Sequence, residues 1–195
     1  MKTNQSFRES KLHLGCGERY IPGFIHVDLN QSSHIDYCCN IYDLSFIGDN
    51  EVSLIYASHS LEYFDRTDVV AVLHEWRRVL RVGGILRLAV PDFEGIVKVY
   101  RKYGDIEHIG ILGPLYGKWT RNEDDTSMYH KTAYDFTSLK GVLEGSGFES
   151  IRRFDWRDTD HSDCDDYSQA YVPHMDKENG ILISLNVEAI KAKNQ

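Results

Sequence analysis

The chain of 195 residues has no apolar run approaching the roughly 18 to 20 residues needed to span a bilayer. Its first ten residues, MKTNQSFRES, lack the apolar core of a secretory signal, so a cytoplasmic location is expected. Cysteine is scarce: Cys16, Cys38, Cys39 and Cys164 include no C-x-x-C pair, which argues against a zinc site or a disulfide framework. The thiols are expected to serve as small buried apolar groups, with Cys38 and Cys39 facing opposite ways in one strand. Positive charge is also short. A net charge of −8 removes the basic footprint that non-specific nucleic-acid binding needs. The local cluster Arg77, Arg78 and Arg81 reads as a solvated helix face. There is no internal repeat and no low-complexity segment.

What is present is ordinary for a soluble globular protein: 42% hydrophobic and 27% charged residues, enough for one domain over residues 1–195. Apolar runs alternate with helical patterns, which predicts an α/β fold with a mostly parallel sheet. Strands are expected at about 11–15, 24–29, 35–39, 52–57 and 84–90. Between the last two, Val69, Val70, Leu73, Trp76, Val79 and Leu80 recur at helical spacing, with Gly83–Gly84 as a stop. Further helices are expected over about 92–103, with Asp92 as N-cap, and 135–146, followed by strands in FESIRRF and GILISLNVEAI.

Two long connections, 104–133 and 155–179, have no clear periodicity and are rich in Tyr, Trp, His and Asp. Connections this long are usually functional, so they are expected to cap the carboxyl ends of the strands, where open α/β sheets bind ligands.

The stretch LHLGCGERYIPGFIHVDLN sets a strand, a glycine turn and a second strand ending in Asp28. Ten residues separate Gly17 from Asp28, about half the dinucleotide spacing, and Tyr20 stands where a third glycine would be. So short a crossover holds a loop with at most one helical turn. A pyrophosphate wants the start of a proper helix, so a ligand without phosphates fits better.

In order, LHLGCG, VDLN, CCNIYDL, LIYASHSLEYF and EWRRVLRVGGILRLAVPD resemble the class I S-adenosylmethionine-dependent methyltransferases. The nearest likeness is to small bacterial methyltransferases with a truncated first helix. The resemblance implies a Rossmann-like sheet, mostly parallel with an antiparallel C-terminal strand, and S-adenosyl-L-methionine as cofactor. It places Gly15, Cys16 and Gly17 at the methionine moiety, with Asp28 on the ribose hydroxyls and Leu29 against the adenine. Asn40, where the family often has Asp, and Ile41 come next, and Ala57, Ser58 and His59 end the fourth strand beside the methionine end.

Methyl transfer is an in-line displacement, so positioning contributes most, and a base matters only for a hydroxyl or protonated amine acceptor. His59 and His130 are the candidate bases. Tyr129, His130, His161, Tyr167 and Tyr171 are the candidate contacts to a small-molecule acceptor. The acidic cluster Asp158, Asp160, His161, Asp163, Asp165 and Asp166 lacks EF-hand spacing, so no metal is expected; pairing with Arg152, Arg153 or Arg157 is the alternative to solvation.

Two other classes stand beside the enzyme. One is a non-catalytic S-adenosylmethionine-binding protein that holds a partner. The other is a nicotinamide oxidoreductase, for which Tyr116 and Lys118 have the wrong spacing. The missing first helix also predicts a bare sheet face near the first two strands, covered by residues 1–10 or by a second subunit of a homodimer.

Overall fold

The computed structural model describes residues 7–107, 110–119 and 128–193. Strands β1 (Lys11–Leu14), β2 (Phe24–Asp28), β3 (Tyr37–Cys38) and β4 (Val52–Ser58) lead into helix α1 (Asp68–Val79) and strand β5 (Leu80–Pro91). Helix α2 (Phe93–Tyr103), helix α3 (Leu112–Tyr116) and the short strands β6 (Lys118–Trp119) and β7 (Met128–Tyr129) follow. Helix α4 (Phe136–Gly145), β8 (Phe148–Arg153), β9 (Tyr171–Val172), β10 (Ile181–Leu182) and β11 (Ser184–Lys191) complete the chain.

Seven strands form one sheet in the order β3-β2-β1-β4-β5-β11-β8. The pairs from β3 to β5 are parallel, and β11 runs antiparallel to both its neighbours. This is the expected Rossmann-like arrangement. No helix intervenes between β1 and β2, as the short crossover requires.

Helix α1 buries Val69, Val72, Leu73, Trp76 and Val79, one stripe at i, i+3, i+4 and i+7. Trp76 anchors it by donating Nε1–H to the Ile41 carbonyl at 2.7 Å. Val70, expected on that stripe, is exposed. The expected stop at Gly83–Gly84 is also corrected. The helix ends at Val79 and the chain turns directly into β5, where both glycines sit at a register shift between Val52/Leu80 and Leu54/Ile85. Gly83 has φ +74, so the pair makes a bulge rather than a helix cap. Asp92 caps α2 as expected, accepting from the Glu94 amide at 3.1 Å.

Arg77 and Arg78 on α1 and Arg81 at the start of β5 are not a solvated patch on one helix. Arg78 bonds Glu75 and Asp49 and the carbonyls of Leu44 and Ile47, Arg77 bonds the Gly147 carbonyl, and Arg81 pairs with Glu9. Among the cysteines, Cys16 is buried and Cys39 partly so, but Cys38 is exposed; all four are free.

Strand alternation gives the sheet two unlike faces. One is apolar: Leu12, Leu14, Val27, Ile55, Leu86 and Leu88 pack against α1 and α4, and Phe7 joins Tyr37 and Phe46 at its edge. The other buries polar residues, His13, His26, Tyr56, Arg87, Asn186 and Glu188. Buried polar groups need partners, and the segment after β8 supplies them. Asp160 accepts from Lys11 and Arg87, Asp166 accepts from Tyr56 Oη, and the Ser168 carbonyl accepts from Asn186 Nδ2.

Residues 155–170 thus roof the sheet face that the missing first helix would have covered, and most of this connection is not a cap over the strand ends. The rationale that called for residues 1–10 or a second subunit is met inside the chain; residues 1–6 lie outside the described residues. Of the two alternatives for the acidic cluster, pairing with these arginines is not found: Arg152 bonds Glu188, Arg153 faces Asp92 and Glu94, Arg157 bonds Asp155, and Asp158, Asp160, Asp163 and Asp165 are exposed. Among the described residues, no group of three His, Cys, Asp or Glu is placed to hold a metal ion. No described helix is long and apolar enough to cross a membrane.

Candidate functional site

A cleft of about 1020 Å³ opens at the carboxyl ends of β1, β2 and β4. Gly15, Cys16, Gly17, Asp28, Leu29, Asn40, Ile41, Ser58, His59 and Tyr167 line it, so ten of the sequence-selected positions converge there. All but Tyr167 come from a strand end or the turn after it, where a parallel sheet releases its chain on the same side.

Asp28 is buried at the end of β2. Its Oδ2 accepts from the Gly17 amide at 2.8 Å and its Oδ1 from the Asn30 amide at 2.9 Å. Each oxygen keeps a further lone pair, so the carboxylate can accept two hydroxyl donors from a ligand.

The two glycines differ. Gly15 has φ +62, and a Cβ there would lie 2.3 Å from Ser60 Oγ, so this glycine is required by Ser60 rather than by a ligand. Gly17 has φ +55 with open space beside it. Gly15→Ala is therefore expected to cost about 2 to 4 kcal/mol, left-handed strain plus overpacking. Gly17→Ala should cost only the strain, about 1 to 2 kcal/mol. Chemical denaturation of both variants checks this; equal losses would contradict it.

Cys16 is held as a thiol, its pKa pushed up to about 12 by burial and by the Asp28 charge. It is a lining group and not a nucleophile.

Five selected residues do not face the cleft. Ala57 points to the apolar side, as the alternation in β4 dictates. Tyr129 is exposed on β7. His161 is buried on the polar sheet face, stacked on Tyr56 at 4.0 Å and edge-on to Phe24. Tyr171 is buried in β9, its Oη accepting from Trp156 Nε1. Tyr167 and Tyr171 are four residues apart but do not share a face. The chain is instead a 3₁₀ turn over Tyr167–Gln169 and then a strand, so only Tyr167 reaches the cleft. His130 lies behind the wall, its Nδ1 donating to the Pro114 carbonyl at 2.8 Å.

His59 follows β4 with φ +49, a conformation an imidazole-bearing residue keeps only where its surroundings over-determine it. Its amide donates to Ala89 O at 2.8 Å, its Nε2 lies 3.2 Å from Ser184 Oγ, and Tyr167 stands against the ring at 5.1 Å. Burial lowers its pKa to about 3, so the ring is neutral.

The sequence reading missed Glu62. It sits on the 3₁₀ turn Leu61–Tyr63 with zero exposure, and neither carboxyl oxygen has a hydrogen-bond partner among the described residues. Its Oε1 lies 3.6 Å from His59 Nδ1 and 3.7 Å from His130 Nε2. Burial pushes its pKa up to about 8. The available signal was a single charged residue inside the run LEYF. Lys131, Tyr63 and Met128 also line the cleft and were not singled out.

A family model described as a methyltransferase domain matches residues 22–88. No curated protein matches in sequence. Solved structures share the fold. A Listeria monocytogenes protein assigned as an S-adenosylmethionine-dependent methyltransferase is 16% identical with TM-score 0.53, covering 97% of this chain and 94% of that one. An Archaeoglobus fulgidus S-adenosylmethionine-dependent methyltransferase is 16% identical with TM-score 0.55, covering 95% and 87%. The Burkholderia thailandensis 1,6-didemethyltoxoflavin-N1-methyltransferase, solved with 1,6-didemethyltoxoflavin and S-adenosylhomocysteine, is 12% identical with TM-score 0.56, covering 95% and 72%. With residues 22–88 matching a methyltransferase domain, the seven-stranded sheet and the cleft at its strand ends, the chain shares the fold of these S-adenosylmethionine-dependent methyltransferases.

Proposed function

We propose that the protein methylates a small-molecule acceptor held in this cleft beside S-adenosylmethionine. The observation that carries the reading is the buried Asp28 carboxylate, with two spare lone pairs, at the wall of a cleft of about 1020 Å³. A ligand pocket is typically about 300 to 1,000 Å³, so this volume suits a nucleoside-sized cofactor with a modest acceptor. The residues fit the cofactor: Asp28 accepts from two ribose hydroxyls, Leu29 and Ile41 give an apolar wall, and Gly17 leaves its side open.

When bound, S-adenosylmethionine supplies a methyl group already activated on its sulfonium. The chain's own part is positioning, which is worth about 7 to 11 kcal/mol when reacting atoms are held in near-attack geometry. His59, Tyr63, Tyr167 and Lys131 form the acceptor end in this reading. A hydroxyl or protonated amine must also lose a proton, and His59, whose neutral ring lines the cleft, is the candidate to relay it toward Glu62. His130 acts on that end through Glu62 rather than by touching the acceptor.

Calorimetric titration with S-adenosylmethionine and S-adenosylhomocysteine, on the wild type and Asp28→Ala, tests the site. Hydrogen bonds to a charged group contribute about 1.5 to 3 kcal/mol each, so the substitution should weaken binding by ten-fold or more, roughly. No binding by the folded wild type would end the reading. Turnover would then be sought by screening small hydroxyl, amine and carbon acceptors for S-adenosylhomocysteine formation.

A further inference from the structure

The hydrogen bonds around the two histidines fix where their protons are. Asn186 Nδ2 donates to the Ser168 carbonyl, which leaves Asn186 Oδ1 to accept from Ser184 Oγ–H at 3.0 Å. Ser184 Oγ, having given its proton to Asn186, accepts from His59, so the His59 proton is on Nε2 and the lone pair is on Nδ1. His130 donates Nδ1–H to the Pro114 carbonyl, which can only accept, so its lone pair is on Nε2. The two unprotonated nitrogens then lie 3.6 and 3.7 Å from the same atom, Glu62 Oε1.

Among the described residues, an ionised carboxylate there would meet two unprotonated nitrogens in a buried place and no side-chain donor. A neutral carboxyl has one O–H and two neighbours able to take it. The remaining titratable groups around Glu62 do not change this. Tyr63 and Tyr134 are phenols held protonated by burial, the Lys131 amide binds the Glu62 main-chain carbonyl, and Arg66 lies over the Tyr134 ring. Burial raises the Glu62 carboxyl in the same direction as the geometry.

Resting on the cofactor reading above, we propose that Glu62 is the proton store of the site: it holds one proton between His59 and His130 while the cleft is empty and releases it when a cationic ligand enters. His59 lines the cleft and Glu62 is buried behind it, so a positive charge beside His59 acts on Glu62 through protein. At an effective dielectric of about 20, a unit charge within about 8 Å shifts such an equilibrium by more than ten-fold. The balance is simple: Glu62 COOH becomes COO⁻, and the proton passes by way of a histidine lone pair to the buffer. A neutral ligand of the same shape leaves the proton in place. Glu62 would thereby make the protein prefer the charged form of the cofactor over its uncharged product, increasingly so as pH rises. It is a positioning residue, because it acts through His59.

The test is proton counting by calorimetry at pH 7.5 in two buffers of different ionisation enthalpy. The ligands are S-adenosylmethionine, which carries the sulfonium charge, and S-adenosylhomocysteine, which does not. Their shared amino and carboxyl groups cancel in the difference. The wild type should release up to about one more proton with the charged ligand, and its affinity should rise by up to about ten-fold per pH unit from pH 6 to 8. Glu62→Gln should bind both ligands and abolish the difference. Equal proton counts in the wild type, or a difference that survives Glu62→Gln, overturn the proposal alone. Failure of both ligands to bind the folded wild type overturns the cofactor reading and the proposal with it. The wild-type comparison decides even if the variant does not fold.

Discussion

Glu62→Gln is expected to stabilise the protein by about 3 kcal/mol at pH 7. In the unfolded chain a glutamate ionises near 4.5, whereas in the folded protein burial holds the Glu62 proton up to about 8. Between those values the unfolded state binds fewer protons, so stability falls as pH rises. Each unit is worth about 1.4 kcal/mol, which gives about 3 kcal/mol at pH 7 and a plateau near 5 kcal/mol above pH 8. Glutamine has the same shape and keeps a donor for a histidine lone pair, but it has nothing to ionise. Denaturant titrations from pH 4.5 to 8.5 should show the variant level with the wild type at the acid end and increasingly more stable toward the alkaline end. A variant less stable than the wild type at pH 8 would mean that the carboxylate is satisfied in a way the structure does not show. A residue that costs stability at the pH of use is the usual mark of a functional position.

The acid side should be governed by His13 on the opposite, polar face. It is 1% exposed, stacked on Tyr56 at 5.2 Å, and its Nδ1 has no hydrogen-bond partner. Burial first, then the neighbouring histidines His26, His161 and His34, lower its pKa to about 3. The unfolded histidine titrates at 6.5, so its contribution is fully present above that value and lost as pH falls toward 3. At pH 4.5 the loss from His13 alone is about 3 kcal/mol. His26 and His161 are lowered chiefly by burial as well, so they add to the loss in the same direction.

The element that should give way is the 155–170 roof. It is tied to this face by Asp160 and Asp166, and protonation of the histidines beneath it places charge on buried rings. Hydrogen exchange of Ser162, Cys164 and Ser168 amides, followed from pH 7 to 4.5, should show this segment opening before the apolar core. His13→Phe keeps the ring stack and should shift the acid midpoint downward. An unchanged midpoint would refute the assignment.

The order of strands and helices was legible because it rests on local pattern: alternation in β1 and β4, the 3.6-residue stripe of α1, the Asp92 cap. The Gly15–Asp28 half of the cleft was legible for the same reason, since it is built from one short crossover whose length allows few conformations. The course of the 155–179 connection was not. Whether 155–170 lies over the strand ends or across a sheet face depends on what fills the space of an absent helix, and that is decided by Tyr56, Arg87 and Lys11 from distant strands. His161 and Tyr171 were therefore placed at the acceptor on sequence grounds and are buried elsewhere. Glu62 escaped notice because a lone carboxylate in LEYF reads as exposed; only the approach of His130, 68 positions along the chain, makes it a buried acid.

The sequence by itself determined the α/β order, the helix-free first crossover and the acidic end of β2, since each follows from hydrogen bonding and side-chain alternation within about twenty residues. Only the tertiary structure decided which polar residues are buried, who partners them and what charge they carry. Burial and pairing are properties of the contacts between distant segments, and the proton on Glu62 exists only where those segments meet.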